Sequence, residues 1–263
     1  GTAVGYRKAM EDAGYHHYHS LRVNELLEKR SALGKIIVAV SNNTKRELES
    51  YYKLTVHSVI ENGVDVHLFR PLRDKERLRK IFGLPQSKFL GLFVGRNTVR
   101  KGVDILSAIS TQLPADVYIV ALSNRSVIGK NILNLRNIDF HDLPKLYSAV
   151  DFFLFPSRYE GCSYSVIEAM ACGLPLVVSN IGHVSRIKRE DSYLSEFIID
   201  DFNLLKYVEN IVLLKDNENV REELGIRARE SVLKHNTLEI FAEQYLKPVS
   251  YTHLRAHETS LHL

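Results

Sequence analysis

Residues 159–175 read YEGCSYSVIEAMACGLP, and this segment decides the fold of the chain. It stands between two apolar runs, residues 151–157 (DFFLFPS) and residues 176–179 (LVVS), each with the length and composition of a short buried strand. The segment between them has room for a loop followed by a helix. The pattern therefore predicts strand, loop, helix and strand, which is the repeating unit of a parallel α/β sheet.

The helix in this segment has a recognisable start and end. Gly161, Ser163 and Ser165 are small or hydroxyl residues of the kind that favours a helix start, and Gly173 followed by Pro175 is typical of a helix end. The first amide groups of a helix have no partner within it, and the helix dipole makes that end positive. We therefore expect an anion to bind at the start of this helix.

Two acidic residues flank the predicted anion-binding turn. Glu160 stands at the entrance of the loop, and Glu168 follows about one turn into the helix. Both carboxylates can face the crevice above the strand ends, where the free amide groups also point. A ligand with phosphate at one point and hydroxyl groups on either side suits this arrangement, and nucleotide sugars have that layout.

Strands alternate with helices along most of the chain, which predicts a parallel sheet covered by helices on both faces. The strands are expected at residues 35–41, 55–60, 89–94, 116–122, 137–140, 151–157, 176–179 and 197–199. The helices are expected at residues 20–30, 44–52, 73–82, 103–112, 143–150, 202–214, 219–234 and 238–246. The predicted fold class is α/β, with a Rossmann-like sheet.

A second chemical motif follows the strand at residues 89–94. Gly95-Arg96 and Lys101-Gly102 stand just past the strand end, where open α/β sheets bind their ligands. Arg96 can bracket a diphosphate with two hydrogen bonds, and Lys101 can do so as a point charge. The spacing alone also fits a solvated basic turn.

These motifs together resemble a known family. Glu160, seven intervening residues, Glu168 and the run AMACGLPLVVS are similar to the C-terminal signature of the retaining, nucleotide-sugar-dependent glycosyltransferases of the GT-B fold, the glycosyl transferases group 1 family. The order of strand, helix, strand, Asn-Gly-Val-Asp at residues 62–65 and Phe-Arg-Pro at residues 69–71 also matches that family. The resemblance extends from about residue 34 to residue 247.

The resemblance implies a domain organisation. Residues 71–247 are expected to form the nucleotide-sugar-binding domain, the C-terminal half of a GT-B fold. Residues 1–70 are expected to be the last part of an N-terminal acceptor domain, with the linker that follows it. Residues 248–263 resemble translated adaptor sequence, so we expect them to be a non-native tail.

The resemblance also implies roles for individual residues. Arg96 and Lys101 contact the donor pyrophosphate, Glu168 binds the ribose hydroxyl groups, and Glu160 lies near the donor sugar without a proton-transfer role. Glu160, Arg96 and Lys101 form the expected catalytic set. The other residues expected to bind the nucleotide sugar are Gly95, Ile138, Gly161, Cys162, Ser163, Tyr164 and Ser165. Arg100 matches no position of the family motif, and Cys162-Ser163 replaces the commoner aromatic residue and glycine.

Composition limits the remaining possibilities. The chain has 263 residues, 45% hydrophobic and 25% charged, and contains only two cysteines, which excludes a disulfide framework and favours a reducing compartment. It has no apolar run of transmembrane length and no recognisable nucleic-acid-binding module. The net charge of +4 fits nucleotide phosphates, an anionic membrane surface or an ordinary solvated surface. A cytoplasmic location is expected, with possible peripheral contact at the inner face of the membrane.

The expected function is metal-independent transfer of a hexose, with retention of configuration, from a nucleotide diphosphate sugar such as a UDP- or GDP-hexose. No cofactor and no metal site are expected, since the chain has no Asp-x-Asp motif. The acceptor is expected to be a sugar, a lipid-linked sugar or another molecule. The chain alone is expected to bind nucleotide weakly and to transfer nothing. The alternatives are a non-catalytic nucleotide-binding or interaction domain of the same fold and a GT-B-type sugar-nucleotide epimerase.

Overall fold

The computed structural model describes residues 1–15 and 19–246, with only the backbone for residues 19–21. The segment 248–263, expected to be a non-native tail, lies outside the described residues. The described chain is an α/β structure with a two-stranded sheet and a six-stranded sheet, and every strand pair is parallel. The predicted fold class is therefore confirmed.

The two-stranded sheet belongs to the first 60 residues. The elements of this part are α1 (Ala3–Asp12), α2 (His19–Ala32), β1 (Val38–Ala39), α3 (Asn42–Tyr52) and β2 (Ser58–Val59). Both strands are shorter than the sequence pattern predicts. Helix α1 is absent from the sequence prediction, and it begins after Thr2, whose hydroxyl accepts a hydrogen bond of 3.0 Å from the Gly5 amide.

The six-stranded sheet forms the centre of the remaining chain. Its strands are β3 (Phe89–Val94), β4 (Val117–Leu122), β5 (Ile132–Leu135), β6 (Phe152–Phe155), β7 (Leu176–Ser179) and β8 (Ile198–Ile199). They lie in the order β5-β4-β3-β6-β7-β8. All residues of β6 and β7 are buried, because helices cover both faces of these central strands.

The helices of this part lie between the strands and after the last of them, and within the described residues no helix separates β4 from β5. They are α4 (Lys75–Ile81), α5 (Val103–Gln112), α6 (Leu143–Ala149), α7 (Tyr164–Ala171), α8 (Val184–Glu190), α9 (Ser192–Ser195), α10 (Leu204–Asp216), α11 (Glu218–His235) and α12 (residues 238–246). Short 3-10 turns occupy Val99–Lys101 and Phe140–Asp142. None of the helices in residues 1–15 and 19–246 combines the length and the apolar character that crossing a bilayer requires.

One predicted strand is wrong. The third strand of the main sheet was expected at residues 137–140, but β5 occupies Ile132–Leu135. Asn137 has a positive φ of 54°, which ends the extended backbone, and the Asp139 carboxylate then accepts the His141 amide at 2.9 Å and caps the 3-10 turn. The strand is hard to recognise because it is an edge strand, and its residues are only half-buried or exposed.

The strand order places one crevice at the centre of the sheet. The chain starts at β3, moves outward to β4 and β5, and then returns to the other side of β3 to form β6, β7 and β8. The helices that follow β3 and β6 therefore cover opposite faces of the sheet, and the loops before these helices lie above neighbouring strand ends. Open α/β sheets bind their ligands at such a switch point, and the loops that lie there carry Arg96, Lys101 and Glu160.

Two segments pass side by side between the small sheet and the large one. The Val64 amide donates to the Asn236 carbonyl at 2.8 Å, and the Leu238 amide donates to the Val64 carbonyl at 3.2 Å. These bonds form an isolated parallel bridge between Val64 and Thr237. The segments that follow β2 and α11 are thus fixed to each other. A domain boundary near residue 70 stays a prediction.

Candidate functional site

The loops after β3 and β6 are fixed to each other above the crevice. The Arg158 amide donates to the Arg100 carbonyl at 2.8 Å, and the Ser157 hydroxyl lies 3.0 Å from the same carbonyl oxygen. The Arg158 guanidinium also makes two bonds of 2.6 Å to the Asp104 carboxylate at the start of α5. The two motifs that the sequence analysis identified separately therefore form one rigid site.

Gly102 allows the loops to approach this closely. Its φ is +70°, and a Cβ atom at this position would lie 1.9 Å from the Pro156 carbonyl oxygen. Any other residue would strain the backbone and collide with the end of β6.

The Glu160 carboxylate lies at the centre of the site. Its Oε1 atom lies 2.7 Å from Lys101 Nζ, 2.8 Å from an Arg100 guanidinium nitrogen and 3.1 Å from the Ser157 hydroxyl. The Glu160 side chain is 12% exposed. Glu160 and Lys101, both predicted site residues, are therefore in direct contact, and Arg100, which the motif comparison left out, belongs to the same cluster.

The cluster carries an excess of positive charge. Burial lowers the pKa of Lys101, and the Arg100 and Arg96 charges lower it further, whereas Glu160 raises it. Arg96 is exposed, and its side chain makes no hydrogen bond or ion pair with another described residue. Glu160 thus contacts two cations while Arg96 adds a third positive charge nearby, and this imbalance favours a bound anion.

Helix α7 starts beside this cluster. Ser163 is the N-cap residue and makes no side-chain capping bond. Its amide donates to His183 Nδ1 at 3.4 Å, so the expectation of a free amide is wrong for Ser163. The Tyr164 and Ser165 amides have no backbone partner among the described residues, and they remain available to an anion. The Ser163 and Ser165 hydroxyls lie 3.0 Å apart.

A neighbouring loop supports the turn before α7. The His183 amide donates to the Gly161 carbonyl at 3.0 Å, and Gly182, with φ of +57°, brings its backbone against the same carbonyl. His183 is 1% exposed, and burial lowers its pKa to about 4, so its ring is neutral at pH 7. Its Nε2 atom is buried without a partner among the described residues. The shape of the turn therefore depends on this loop, which the sequence analysis did not identify.

The segment after β2 holds the turn from the other side. The Asn62 side-chain amide donates to the Cys162 carbonyl at 2.8 Å, and the Asn62 backbone amide lies 3.3 Å from Cys162 Sγ. Burial raises the pKa of Cys162 to about 12, so the thiol stays protonated at neutral pH. Cys162 is therefore a packing residue rather than a nucleophile.

Glu168 occupies a separate, buried position on α7. It is 9% exposed, and its Oε2 atom accepts a hydrogen bond of 2.8 Å from the Tyr147 hydroxyl. Burial raises the pKa of Glu168, and the Tyr147 hydrogen bond acts in the opposite direction. Glu168 does not touch Glu160, Arg100 or Lys101, so the predicted site consists of a charged centre and a second carboxylate further along the helix.

The remaining predicted residues have different surroundings. Gly95 lies against Lys101, because a Cβ atom at Gly95 would be 3.4 Å from Lys101 Cδ. Ile138 follows β5, two strands away from β3, and is half-buried against the main core. Tyr164 is 53% exposed at the start of α7. Within the part of the chain that the structure describes, no three His, Cys, Asp or Glu side chains group in a way that could hold a metal ion.

A cavity of about 700 Å³ opens next to Glu160. Helices α1 and α2 form its other wall, which includes Tyr6 and Glu28. The Tyr6 ring stacks on Tyr159 at 6.2 Å between centroids, and the Arg100 guanidinium lies 5.9 Å from the Tyr6 centroid. The charged cluster is therefore reached from this cavity as well.

Comparison with known proteins relates this architecture to one family. Residues 121–231 match the family model for glycosyl transferases group 1. The chain is 27% identical over 230 residues to sulfoquinovosyl transferase from Arabidopsis thaliana. This alignment covers 82% of this chain and 43% of the relative. It is 30% identical over 189 residues to an Escherichia coli UDP-Gal:alpha-D-GlcNAc-diphosphoundecaprenol alpha-1,3-galactosyltransferase. This alignment covers 64% of this chain and 49% of the relative.

Solved structures show the same fold. Anabaena HepE, crystallised with UDP and glucose, aligns with a TM-score of 0.76 and 18% identity over 89% of this chain and 68% of that chain. Sucrose-phosphate synthase from Thermosynechococcus elongatus aligns with a TM-score of 0.74 and 24% identity over 90% of this chain and 62% of that chain. The chain spans about half the length of the two sequence relatives above. It contains a domain of the group 1 glycosyltransferase family.

Proposed function

We propose that this chain provides the donor-binding half of an enzyme that transfers a hexose from a nucleotide diphosphate sugar to an acceptor with retention of configuration and without a metal ion. The main support is the contact of Arg100 and Lys101 with Glu160, three residues before the N-cap residue of α7, with the exposed Arg96 charge nearby. It combines positive charge with free amides at the switch point of the sheet.

The chemistry that we propose is electrostatic. Cleavage of the bond between the sugar and the diphosphate places negative charge on the departing nucleotide. Lys101 and Arg96 would stabilise this charge together with the Tyr164 and Ser165 amides, because preorganised donors aimed at a developing charge lower the barrier. These groups would take the role that a metal ion has in other glycosyl transfer enzymes.

Glu160 would face the sugar of the donor. Lys101 and Arg100 neutralise its Oε1 atom, while its Oε2 atom has no partner among the described residues. A diphosphate would compete with Glu160 for Lys101. Glu160 would then bind a sugar hydroxyl or stabilise positive charge at the reacting carbon, without a proton-transfer role.

The donor and the acceptor remain proposals at the level of chemical class. Anabaena HepE was crystallised with UDP-glucose, which supports a UDP-hexose as donor, and Ile138 would lie near the base. The Escherichia coli relative is named for a diphosphoundecaprenol-linked acceptor, which supports a lipid-linked sugar and peripheral contact with the inner face of the membrane. The cavity beside α1 and α2 would admit the acceptor, and residues 1–70 would belong to the acceptor domain.

Nucleotide binding tests this proposal directly. Calorimetric titration of the 263-residue chain with UDP and GDP should show binding of one of them, and Lys101→Ala should weaken it about tenfold or more, because a hydrogen bond to a charged group contributes about 1.5–3 kcal/mol. Lys80→Ala is the matched control, since Lys80 pairs with Glu76 on the surface of α4. Absence of binding, or equal losses in both variants, would contradict the proposal.

A further inference from the structure

Glu168 depends on a neighbour for its orientation. Tyr147, on α6, is completely buried, and its hydroxyl lies 2.8 Å from Glu168 Oε2 and 3.3 Å from the Ser165 carbonyl oxygen. The single phenol proton therefore goes to the nearer carboxylate oxygen. No cation pairs with Glu168 among the described residues, so Tyr147 is its principal partner.

The second oxygen of Glu168 remains open. No hydrogen bond to Oε1 is present among the described residues, yet Oε1 does not belong to the buried polar atoms that lack a partner. It must therefore keep some contact with solvent. Tyr164 and Ser165 precede Glu168 by four and three residues and lie on the same face of α7, at the end that faces the crevice. Glu168 is thus on the face of α7 that begins at the ligand side of the helix.

A purely structural role explains this arrangement less well. A buried carboxylate with a single neutral partner is costly, because burial favours the uncharged form and one hydrogen bond offsets only part of the loss. A ligand that donates two further hydrogen bonds would complete its coordination. Vicinal hydroxyl groups provide two donors in a suitable arrangement.

We propose that Tyr147 is a positioning residue, whose hydroxyl holds one oxygen of Glu168 so that the other faces the ribose hydroxyl groups of the nucleotide donor. This inference rests on the proposed function, in which Glu168 binds the ribose. Tyr147 itself would not touch the nucleotide. Its loss should therefore alter the discrimination between ribose and deoxyribose more than it alters phosphate binding.

Few groups near Glu168 titrate in the useful pH range. The neighbouring titratable groups are Tyr147 on α6 and Cys172 at the end of α7, and burial raises the pKa of both. Both stay protonated between pH 5 and pH 8, so a pH effect at this position reports Glu168. The Tyr147 hydrogen bond lowers the pKa of Glu168, so its removal should raise that pKa. As the pH falls, Glu168 should then become protonated, and the preference for ribose should be lost, at a higher pH than in the wild-type chain.

The test compares UDP with 2′-deoxy-UDP by calorimetry on the 263-residue chain between pH 5 and pH 8. The wild-type chain should prefer UDP, Glu168→Gln should lose most of this preference, and Tyr147→Phe should reduce it about threefold or more at pH 7, in line with the loss of one hydrogen bond. Tyr207→Phe is the matched control, since Tyr207, on α10, is equally buried and its hydroxyl lies 2.7 Å from the Ser179 hydroxyl at the end of β7.

Each failure has a distinct meaning. If the wild-type chain binds neither UDP nor GDP, the proposed function fails. If Glu168→Gln loses the ribose preference while Tyr147→Phe keeps it at every pH, the inference about Tyr147 alone is overturned. If Tyr147→Phe does not fold, 3-fluorotyrosine at position 147 replaces it. This residue is a stronger hydrogen-bond donor of nearly the same shape, so it should shift the pH profile downward, and an unchanged profile would overturn the inference.

Discussion

At the scale of single residues, the site depends on contacts between side chains that are far apart in the sequence. Glu160 and Lys101 were predictable, because each belongs to a motif with defined spacing. Arg100 was not, since only the 3-10 turn at Val99–Lys101 directs two consecutive cations to one carboxylate. Asn62 belongs to the Asn-Gly-Val-Asp run and His183 to no motif, and neither could be assigned to the turn before α7, because only the fold brings these distant segments together.

Gly102 gives the sharpest prediction at this scale. Gly102→Ala should lower the free energy of unfolding by about 3 kcal/mol or more, because a positive φ and a collision with a backbone atom combine there. Gly83→Ala is the matched control, since Gly83 also has a positive φ of 63° but open space around it. It should cost about 1 kcal/mol. Urea unfolding of both variants measures the difference, and equal losses would show that the contact with Pro156 does not matter.

At the scale of helices and strands, periodicity predicted the interior better than the edges. The predicted bounds of β3, α5 and β7 are confirmed, because long apolar runs and clear turn residues define them. β5 was misplaced, since an exposed edge strand has little apolar pattern. Helix α1 was missed because its sequence, AVGYRKAMED, contains a glycine and only a weak apolar face.

The contact between the loops after β3 and β6 is the feature of this scale that the site needs. The Asp104 carboxylate and the Arg158 guanidinium join these loops with two bonds. Asp104→Asn should therefore lower stability by about 0.5–1 kcal/mol, because Asp104 is half-exposed and water screens the pair. It should also weaken UDP binding, since the loop that carries Arg96 and Lys101 would be held less firmly against the loop that carries Glu160.

The pH dependence of this contact has a defined sign. Burial acts to raise the pKa of Asp104, but the Arg158 bonds outweigh it and the net pKa lies below its ordinary value. A lowered folded-state pKa means that the stabilisation is present above the unfolded-state pKa, near 4, and is lost as the pH falls below it. Urea unfolding between pH 3 and pH 7 should therefore give curves for wild type and Asp104→Asn that converge at low pH. Parallel curves would contradict this assignment.

At the scale of the whole molecule, the question is how the small sheet and the large sheet are held together. Arg186, on α8, binds the Glu61 carboxylate with bonds of 2.9 Å and 2.8 Å, and it also contacts Asn236 at 3.1 Å. Glu61 and Asn236 belong to the two segments that pass between the sheets. One guanidinium thus fixes both segments, and it lies directly behind the turn that carries Cys162.

This arrangement predicts an unequal response to two neighbouring substitutions. Glu61→Gln leaves Arg186 buried without its main partner and should lower the free energy of unfolding by about 3 kcal/mol. Glu190→Gln removes an exposed partner of the same guanidinium and should lower it by less than about 1 kcal/mol.

Burial acts to raise the pKa of Glu61, but Arg186 and Asn236 outweigh it, and the net pKa is lowered. The contribution of Glu61 should therefore be present at neutral pH and disappear as the pH falls below about 4. Urea unfolding measures the stability, and amide exchange at Val64 and Leu238 reports the junction itself. Faster exchange at these two amides in Glu61→Gln but not in Glu190→Gln would confirm that Arg186 and Glu61 hold the two parts together, and equal exchange in both variants would contradict it.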